Sequence, residues 1–307
     1  MSRNYASAVQ SGPTHAMHLP LELIQEIVAS LATPDYPLQY GHKIDVLRAL
    51  CQLAATNHFL FIVATPHIYS SVVISSLPQL HAFLSTSPPL RTRVRALWLR
   101  NLPDIFPHIA DLLYDLSPYL RRLALDIPGN ELDTLTSVRE ALKCCVHIED
   151  FTRSGYSPMQ IIQPYPFWPD WTALRHLVLD GPLVNASFIS SIAALPRLKH
   201  LAVIEPRWRY SVDGTEAAIF LQLLDAGRSL RRVLLIYCEG AELFINSLRR
   251  LRTAVKLRGL RPGLTILYMV ICEKEPPPMT RIRHQIGDGS LWDRHSQNLL
   301  GFPVGYF

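Results

Sequence analysis

The sequence predicts an α/β fold in two parts, a short all-α helical module over residues 17–66 and an irregular array of strand–helix units over 67–272, with a parallel sheet on the concave side and helices on the convex side. Three observations predict it. A segment of the form apolar-x-x-apolar-x-apolar returns along the chain. The stretches between its copies carry apolar residues at helical spacing, and a stretch of different pattern precedes the first copy. Residues 1–16 are expected to be disordered and 273–307 to form a cap or tail.

The first fourteen residues are small and polar, without an apolar core of signal-peptide length, so no leader is expected. The chain then reads Leu19-Pro20-Leu21-Glu22-Leu23-Ile24-Gln25-Glu26-Ile27-Val28. Pro20 suits a first helical position, and Glu22 and Glu26 lie near the positive end of the helix dipole. Leu23, Ile24, Ile27, Val28 and Leu31 make one apolar stripe. A second helix is predicted over 44–55, with Leu47, Leu50 and Ala54 on one face. Asn57 caps a third, ending before Pro66, and 67–74 alternates like a strand that leads into the array.

The order Leu-Pro-x-Glu-Leu, Ile27 four residues on, a Leu-rich second helix, Thr56-Asn57-His58-Phe59, then Ile68-Tyr69 and a strand resembles the F-box, over about residues 17–74. The resemblance implies a three-helix module that docks onto the Skp adaptor of cullin-based ubiquitin ligases. It places Leu19, Pro20, Leu23 and Ile27 at the adaptor-facing positions, with Ile24 and Val28 beside them, and Leu50, Leu53 and Phe59 at the later apolar positions. The stretch 32–44, with Pro34, Pro37 and Gly41, is longer than the usual link between the first two helices. It reads either as a surface loop that leaves the docking face intact or as the mark of a module that no longer docks.

The recurring segment is Val94-Arg-Ala-Leu97-Trp-Leu99, Leu120-Arg-Arg-Leu123-Ala-Leu125, Leu174-Arg-His-Leu177-Val-Leu179, Leu198-Lys-His-Leu201-Ala-Val203, Leu230-Arg-Arg-Val233-Leu-Leu235 and Leu264-Thr-Ile-Leu267-Tyr-Met269. A damaged copy, Ile148-Glu-Asp-Phe151-Thr-Arg153, fills the gap between the second and third. First positions at 94, 120, 148, 174, 198, 230 and 264 are separated by 26, 28, 26, 24, 32 and 34 residues. Between them, Ile105, Ile109, Leu112, Leu113 and Leu116 recur at helical spacing behind Asp104 as a cap, and 136–146, 187–194, 216–224 and 241–255 read similarly. Pro103, Pro128, Pro182 and Pro206 follow the strands, where the chain must turn. One such unit cannot bury its apolar face alone, so the units stack.

These segments resemble leucine-rich repeats over roughly 180 residues, with their x-x-Leu-x-Leu strands; the resemblance implies an irregular solenoid. The family's asparagine after the strand is mostly missing: Asn101 comes close, while Ile127, Gly181 and Glu205 stand at the equivalent places. A doubly wound α/β sheet is the competing architecture. The likeness among the strands counts against it, as does the lack of phosphate-binding glycine spacing at any strand-to-helix junction.

Alternate strand residues face opposite ways, so residues between the fixed apolar positions line the concave face. Trp98, Arg122, His176, His200, Arg232 and Tyr268 are the candidate target contacts, because aromatic and arginine side chains combine area with directed polar groups. Trp168 and Trp171 are expected in an insertion loop packed beside the array. Trp292 belongs to the tail, expected to cap or fold over the last unit.

Nothing in the sequence points to an enzyme. No nucleophile elbow, P-loop, H-E-x-x-H or paired-cysteine site is present, and no metal or cofactor is expected. The five cysteines show no C-x-x-C pairing, which fits reduced thiols in the cytosol or nucleus. The longest strongly apolar run, 264–272, falls short of the ~20 residues that span a bilayer. A net charge of +5 with dispersed basic residues is weak evidence for nucleic acid, resting on Arg95, Arg121, Arg175, Lys199 and Arg231 at the strand starts. The expectation is a substrate-recognition adaptor that holds a Skp-type adaptor, and through it a cullin, while the array grips a protein target. A repeat scaffold with no ubiquitin link is the alternative.

Overall fold

A computed structural model describes residues 20–33, 40, 42, 44–102, 106–126, 136–154, 170–208, 215–237, 250–251, 253–255, 257, 259, 262–270, 282, 285, 290–292 and 304–306. Leu19, Asp104, Ile105, Ile127 and Trp168 lie outside them. So does most of 241–255.

Three helices open the chain: α1 (Leu21–Ala32), α2 (Ile44–Thr56) and α3 (His58–Ser70). Pro20 stands one place earlier than expected, at the N-cap of α1. Asn57 caps α3 as expected, its side chain accepting from the Leu60 N–H at 2.8 Å. The helix does not end before Pro66, however. It runs through the proline to Ser70, and the strand expected over 67–74 shrinks to β1 (Ser71–Ile74). Packing overrides the local signal: Ala64 and Ile68 join Val28, Ala32 and Leu50 in a small core between the three helices. The Thr65 hydroxyl donates to the Phe61 carbonyl one turn back.

Two helices absent from the sequence reading follow, α4 (Leu77–Leu84) and α5 (Pro88–Arg91). Ser76 caps α4, accepting from the Gln79 N–H, while the Gln79 side chain accepts from the Ser75 N–H at 2.8 Å, close to a reciprocal capping box. Strands and helices then follow in the order β2 (Ala96–Arg100), α6 (Phe106–Leu116), β3 (Arg122–Asp126), α7 (Thr136–Cys144), β4 (Asp150–Ser154), β5 (His176–Asp180), β6 (Leu183–Val184), α8 (Ala186–Ala193), β7 (His200–Ile204), β8 (Arg207–Trp208), α9 (Thr215–Ala226), β9 (Arg232–Tyr237) and β10 (Thr265–Val270). A short 3-10 turn (Ser290–Trp292) and β11 (Val304–Tyr306) close the described chain.

The main sheet has nine strands in the order β1-β2-β3-β4-β5-β7-β9-β10-β11, all parallel except the antiparallel last pair. The order never reverses, so the sheet lacks the switch point of a doubly wound fold. The damaged copy is a full strand in register, with Phe151 between Leu123 and Leu177. β11 pairs along the outer edge of β10 and covers ladder groups that would otherwise be open.

Register sorts the side chains into two faces. Leu97, Leu99, Leu123, Leu125, Phe151, Leu177, Leu179, Leu201, Val203, Val233 and Leu235 enter one large core with Leu80 and Phe83 of α4, Leu112 and Leu116 of α6, Val138 of α7, Phe188 of α8 and Phe220 of α9. Trp171 packs there as expected, fully buried, its ring edge on Phe151 at 4.8 Å and its Nε1–H donating to the Leu142 carbonyl at 3.0 Å.

The last copy departs from its expected phase. Ile266, rather than Leu267, aligns with Val233, and Leu267 aligns with Leu234. A shift of one residue exchanges the faces. Tyr268 thus pairs with Leu235, in the row whose described members face the helices, and leaves the expected concave row; its side chain lies outside the described residues.

Asn101, Gly181 and Glu205, directly after β2, β5 and β7, all adopt positive φ, at 50°, 61° and 48°. Their N–H groups donate to Asp126, Ile204 and Ile236 carbonyls of the neighbouring strand at 2.7, 2.8 and 2.8 Å. After Gly181-Pro182 and Glu205-Pro206 the chain forms the small parallel pair β6–β8. Among the described residues, no helix is long and apolar enough to cross a membrane.

Candidate functional site on the second face of the sheet

The core on the other face of the sheet holds no described residue of α1–α9, and the face's residues come from alternate register rows. Arg122, Asp150, His176, His200 and Arg232 form one row across β3, β4, β5, β7 and β9. Trp98, Ala124, Thr152, Val178, Ala202 and Leu234 form the next. Five of the six expected target contacts, all but Tyr268, therefore lie on this face.

The face is covered by the chain itself. Tyr40, from the insertion between α1 and α2, is buried on it with Ala96, Trp98 and Ala124, and Ile282 and Leu291 join the apolar side near Ile204, Leu234, Ile236 and Leu267. The Tyr40 ring lies 6.2 Å from that of Trp98, under the Arg122 guanidinium at 5.7 Å. Arg100 approaches the Trp98 ring at 5.3 Å. Trp98 is consequently only 7% exposed. The expected surface loop is, at Tyr40, an interior anchor. His42 strengthens the attachment, with Nε2 at 2.8 Å from the His67 carbonyl.

A polar chain crosses the centre. His176 Nδ1 meets Asp150 Oδ1, the His176 and His200 rings meet edge to face at 4.6 Å, and Trp292 lies 6.0 Å from the first and 5.2 Å from the second. The Arg232 Nη1–H donates to the Trp292 carbonyl. The tail thus folds over the middle of the sheet as well as its last strand. Burial, then the Asp150 carboxylate, holds the Tyr40 hydroxyl well above the usual phenol range, against the opposing pull of Arg122 and the Thr152 hydroxyl. Burial, then His176 and the cations Arg232, Lys199 and Arg231, lowers His200 to about 4, so His200 is neutral near pH 7.

Among the described residues, no group of three or more His, Cys, Asp or Glu is placed to hold a metal ion. Cys145 is buried, with its thiol pushed up to about 12, while Cys51 and Cys144 are exposed.

The expected adaptor positions divide. Val28 and Leu50 are interior, at 1% and 0% exposure, and Ile24 and Leu53 pack against the same small core. Pro20, Leu23, Ile27 and Phe59 are exposed. Four further exposed apolar residues of the module, Leu21, Ile44, Phe61 and Ile62, were not among the expected adaptor positions. A helix face is fixed only once its packing partners are known, and α3 shows little apolar asymmetry of its own. Asp150 was legible from register, since it shares a row with Arg122 and His176. Tyr40 and Trp292 carry no pattern that announces their destination.

No protein-family model matches the chain, and no curated protein matches it. What the fold defines is a mixed α/β protein built on a parallel sheet.

Proposed function

We propose that the chain is a substrate-recognition adaptor of a Skp–cullin–F-box-type ubiquitin ligase, its first three helices an F-box-like module and its sheet an irregular leucine-rich repeat solenoid. The observation that carries this reading is the distribution of apolar side chains in the module. Leu23 and Ile27, one helical turn apart on α1, are 40% and 48% exposed although the module has its own core, and Phe59, Phe61 and Ile62 of α3 are exposed as well. Complete burial of such a side chain is worth about 1.5–3 kcal/mol, so a partner that covers them gains a share of that at each position. Tyr40, within the 32–44 insertion, is drawn onto the sheet.

In this reading the target contacts the half-exposed Arg122, His176, His200 and Arg232, and Trp98 supports Tyr40 from below. The chain breaks no bonds itself; it holds the target near the ubiquitin-conjugating enzyme.

Co-purification of the full chain with a Skp adaptor tests the proposal. Wild type is expected to retain the adaptor, and Leu23→Asp with Ile27→Asp to lose it without loss of helical circular dichroism, since both sites are exposed. Absence of binding in wild type, or binding unchanged in the variant, removes the proposal.

One observation favours the alternative of a scaffold without a ubiquitin link. Tyr40 and His42 fasten the α1–α2 connection to the sheet face and to α3, as an end cap would be fastened. That alternative predicts target binding in cells that lack the cullin.

A further inference from the structure

Basic residues recur at the starts of the strands, and the proposed function leaves them unused. Arg95, Arg121, Glu149, Arg175, Lys199 and Arg231 occupy one register place, each N–H from Arg121 onward donating to the carbonyl before it. The row is not uniform. Arg95 folds back, its Nη1 donating to the Thr92 and Val94 carbonyls at 2.7 and 3.1 Å and its guanidinium lying 5.6 Å from the Tyr119 ring. Glu149 lies between Arg121 and Arg175, at 4.0 and 3.8 Å.

Past that point the cations gather. Arg175, Arg197, Lys199, Arg228 and Arg231 line one cleft of about 820 Å³, and among the described residues no carboxylate lines it. Asp225 belongs to an adjoining cleft that shares Pro196, Arg228 and Ser229 with this one. Among the described residues, Arg197, Lys199, Arg228 and Arg231 make no ion pair. The rim is stiff: Pro196 and Pro262 bound it, and Gly263 turns at φ +80°.

We infer that this cleft, at the starts of β5, β7 and β9, binds a compact organic anion carrying two or more phosphate groups. Adjacent strands lie about 4.8 Å apart, so Arg175, Lys199 and Arg231 present charge over roughly 10 Å, a span that linked phosphates can follow. Arginine forks match phosphate oxygens two at a time, and four arginines with one lysine suit a multiply charged group better than a single carboxylate. The row itself argues for a compact ligand over an extended phosphodiester backbone. Arg95 is engaged by its own turn and Glu149 serves both Arg121 and Arg175, so the cations of the row without an ion pair among the described residues, Lys199 and Arg231, both lie in the cleft. The inference is independent of what the α1–α3 module docks.

The test uses the full chain and inorganic tripolyphosphate, by titration calorimetry near physiological salt. One site per chain is expected, weakening steeply as salt is raised. Arg197→Gln with Arg228→Gln, both exposed, is expected to weaken binding at least tenfold with an unchanged melting temperature, while Arg48→Gln on α2 leaves it unchanged. If the double variant does not fold, each single variant is expected to weaken binding at least threefold. The inference is overturned if wild type does not bind, if the cleft variants bind like wild type, or if sulfate at equal ionic strength binds as tightly. It is also overturned if an oligonucleotide binds more tightly than tripolyphosphate and loses affinity in Arg95→Gln/Arg121→Gln, which assigns the edge to a nucleic-acid backbone.

Discussion

Asp150 on β4 and His176 on β5 are register partners, and their side chains meet, Oδ1 to Nδ1, on the face of the sheet opposite the main core. Asp150 is buried, its carboxylate meets the His176–His200–Trp292 ring cluster through His176, and its charge acts on the Tyr40 hydroxyl. A buried carboxylate persists only where hydrogen bonds replace its water. Asp150→Ala strips His176 of that partner and is expected to cost about 2–3 kcal/mol, measured by urea unfolding. Asp150→Asn keeps an acceptor and is expected to cost about half as much. Equal midpoints for Asp150→Ala and wild type would show that the pair is solvated and contributes little.

Tyr40 is the anchor of the 32–44 insertion. Its ring separates Trp98 from solvent, so Tyr40→Ala is expected to lose about 3–5 kcal/mol, as for other large aromatic truncations in a core. Tyr40→Phe keeps the ring against Trp98 and Arg122 and is expected to lose under about 1.5 kcal/mol. The two variants separate further by acrylamide quenching, in which only the alanine variant gains a newly accessible tryptophan. If both quench like wild type, Tyr40 does not cover Trp98 in solution.

The unequal legibility of the fold has a physical basis. The strands β2, β3, β5, β7 and β9 are written in period-two alternation, and even Phe151 was enough to place β4 in register. The phase of β10 was ambiguous because Ile266, Leu267, Tyr268 and Met269 are all apolar or aromatic, so alternation offers no preference; the hydrogen-bond register decided it. Pro66 misled because a local rule was applied where Ala64 and Ile68 are held by tertiary packing. The face was located from sequence. Its occupants were not, since Tyr40 and Trp292 reach it from segments without periodicity.

His200 gives the fold a pH dependence of definite sign. Its folded value, about 4, lies below the ordinary histidine value of 6.5, so between these limits the unfolded chain binds more protons. Stability from this residue is fully present above about pH 6.5 and is lost as pH falls toward 4. The melting temperature of wild type is expected to drop across that window more steeply than that of His200→Phe. The difference in proton uptake on unfolding approaches one proton. Parallel pH profiles for the two proteins would mean that His200 titrates in the folded state as it does in the unfolded one.

The positive-φ residues after the strands supply the last prediction. In this conformation Asn101, Gly181 and Glu205 each make one inter-strand hydrogen bond. The cost of the conformation differs among them: glycine adopts it without strain, asparagine tolerates it, and a longer side chain is penalised by about 1–2 kcal/mol. Gly181→Ala is therefore expected to destabilise by about 1–2 kcal/mol, although it adds only a methyl group. Asn101→Gly is expected to stay within about 0.5 kcal/mol of wild type, because the strain it relieves is offset by the greater freedom of the unfolded glycine. Urea midpoints of the two variants measure the contrast. If Gly181→Ala is as stable as wild type, the turn after β5 does not require its positive φ, and the ladder bond from Gly181 to Ile204 forms by another geometry.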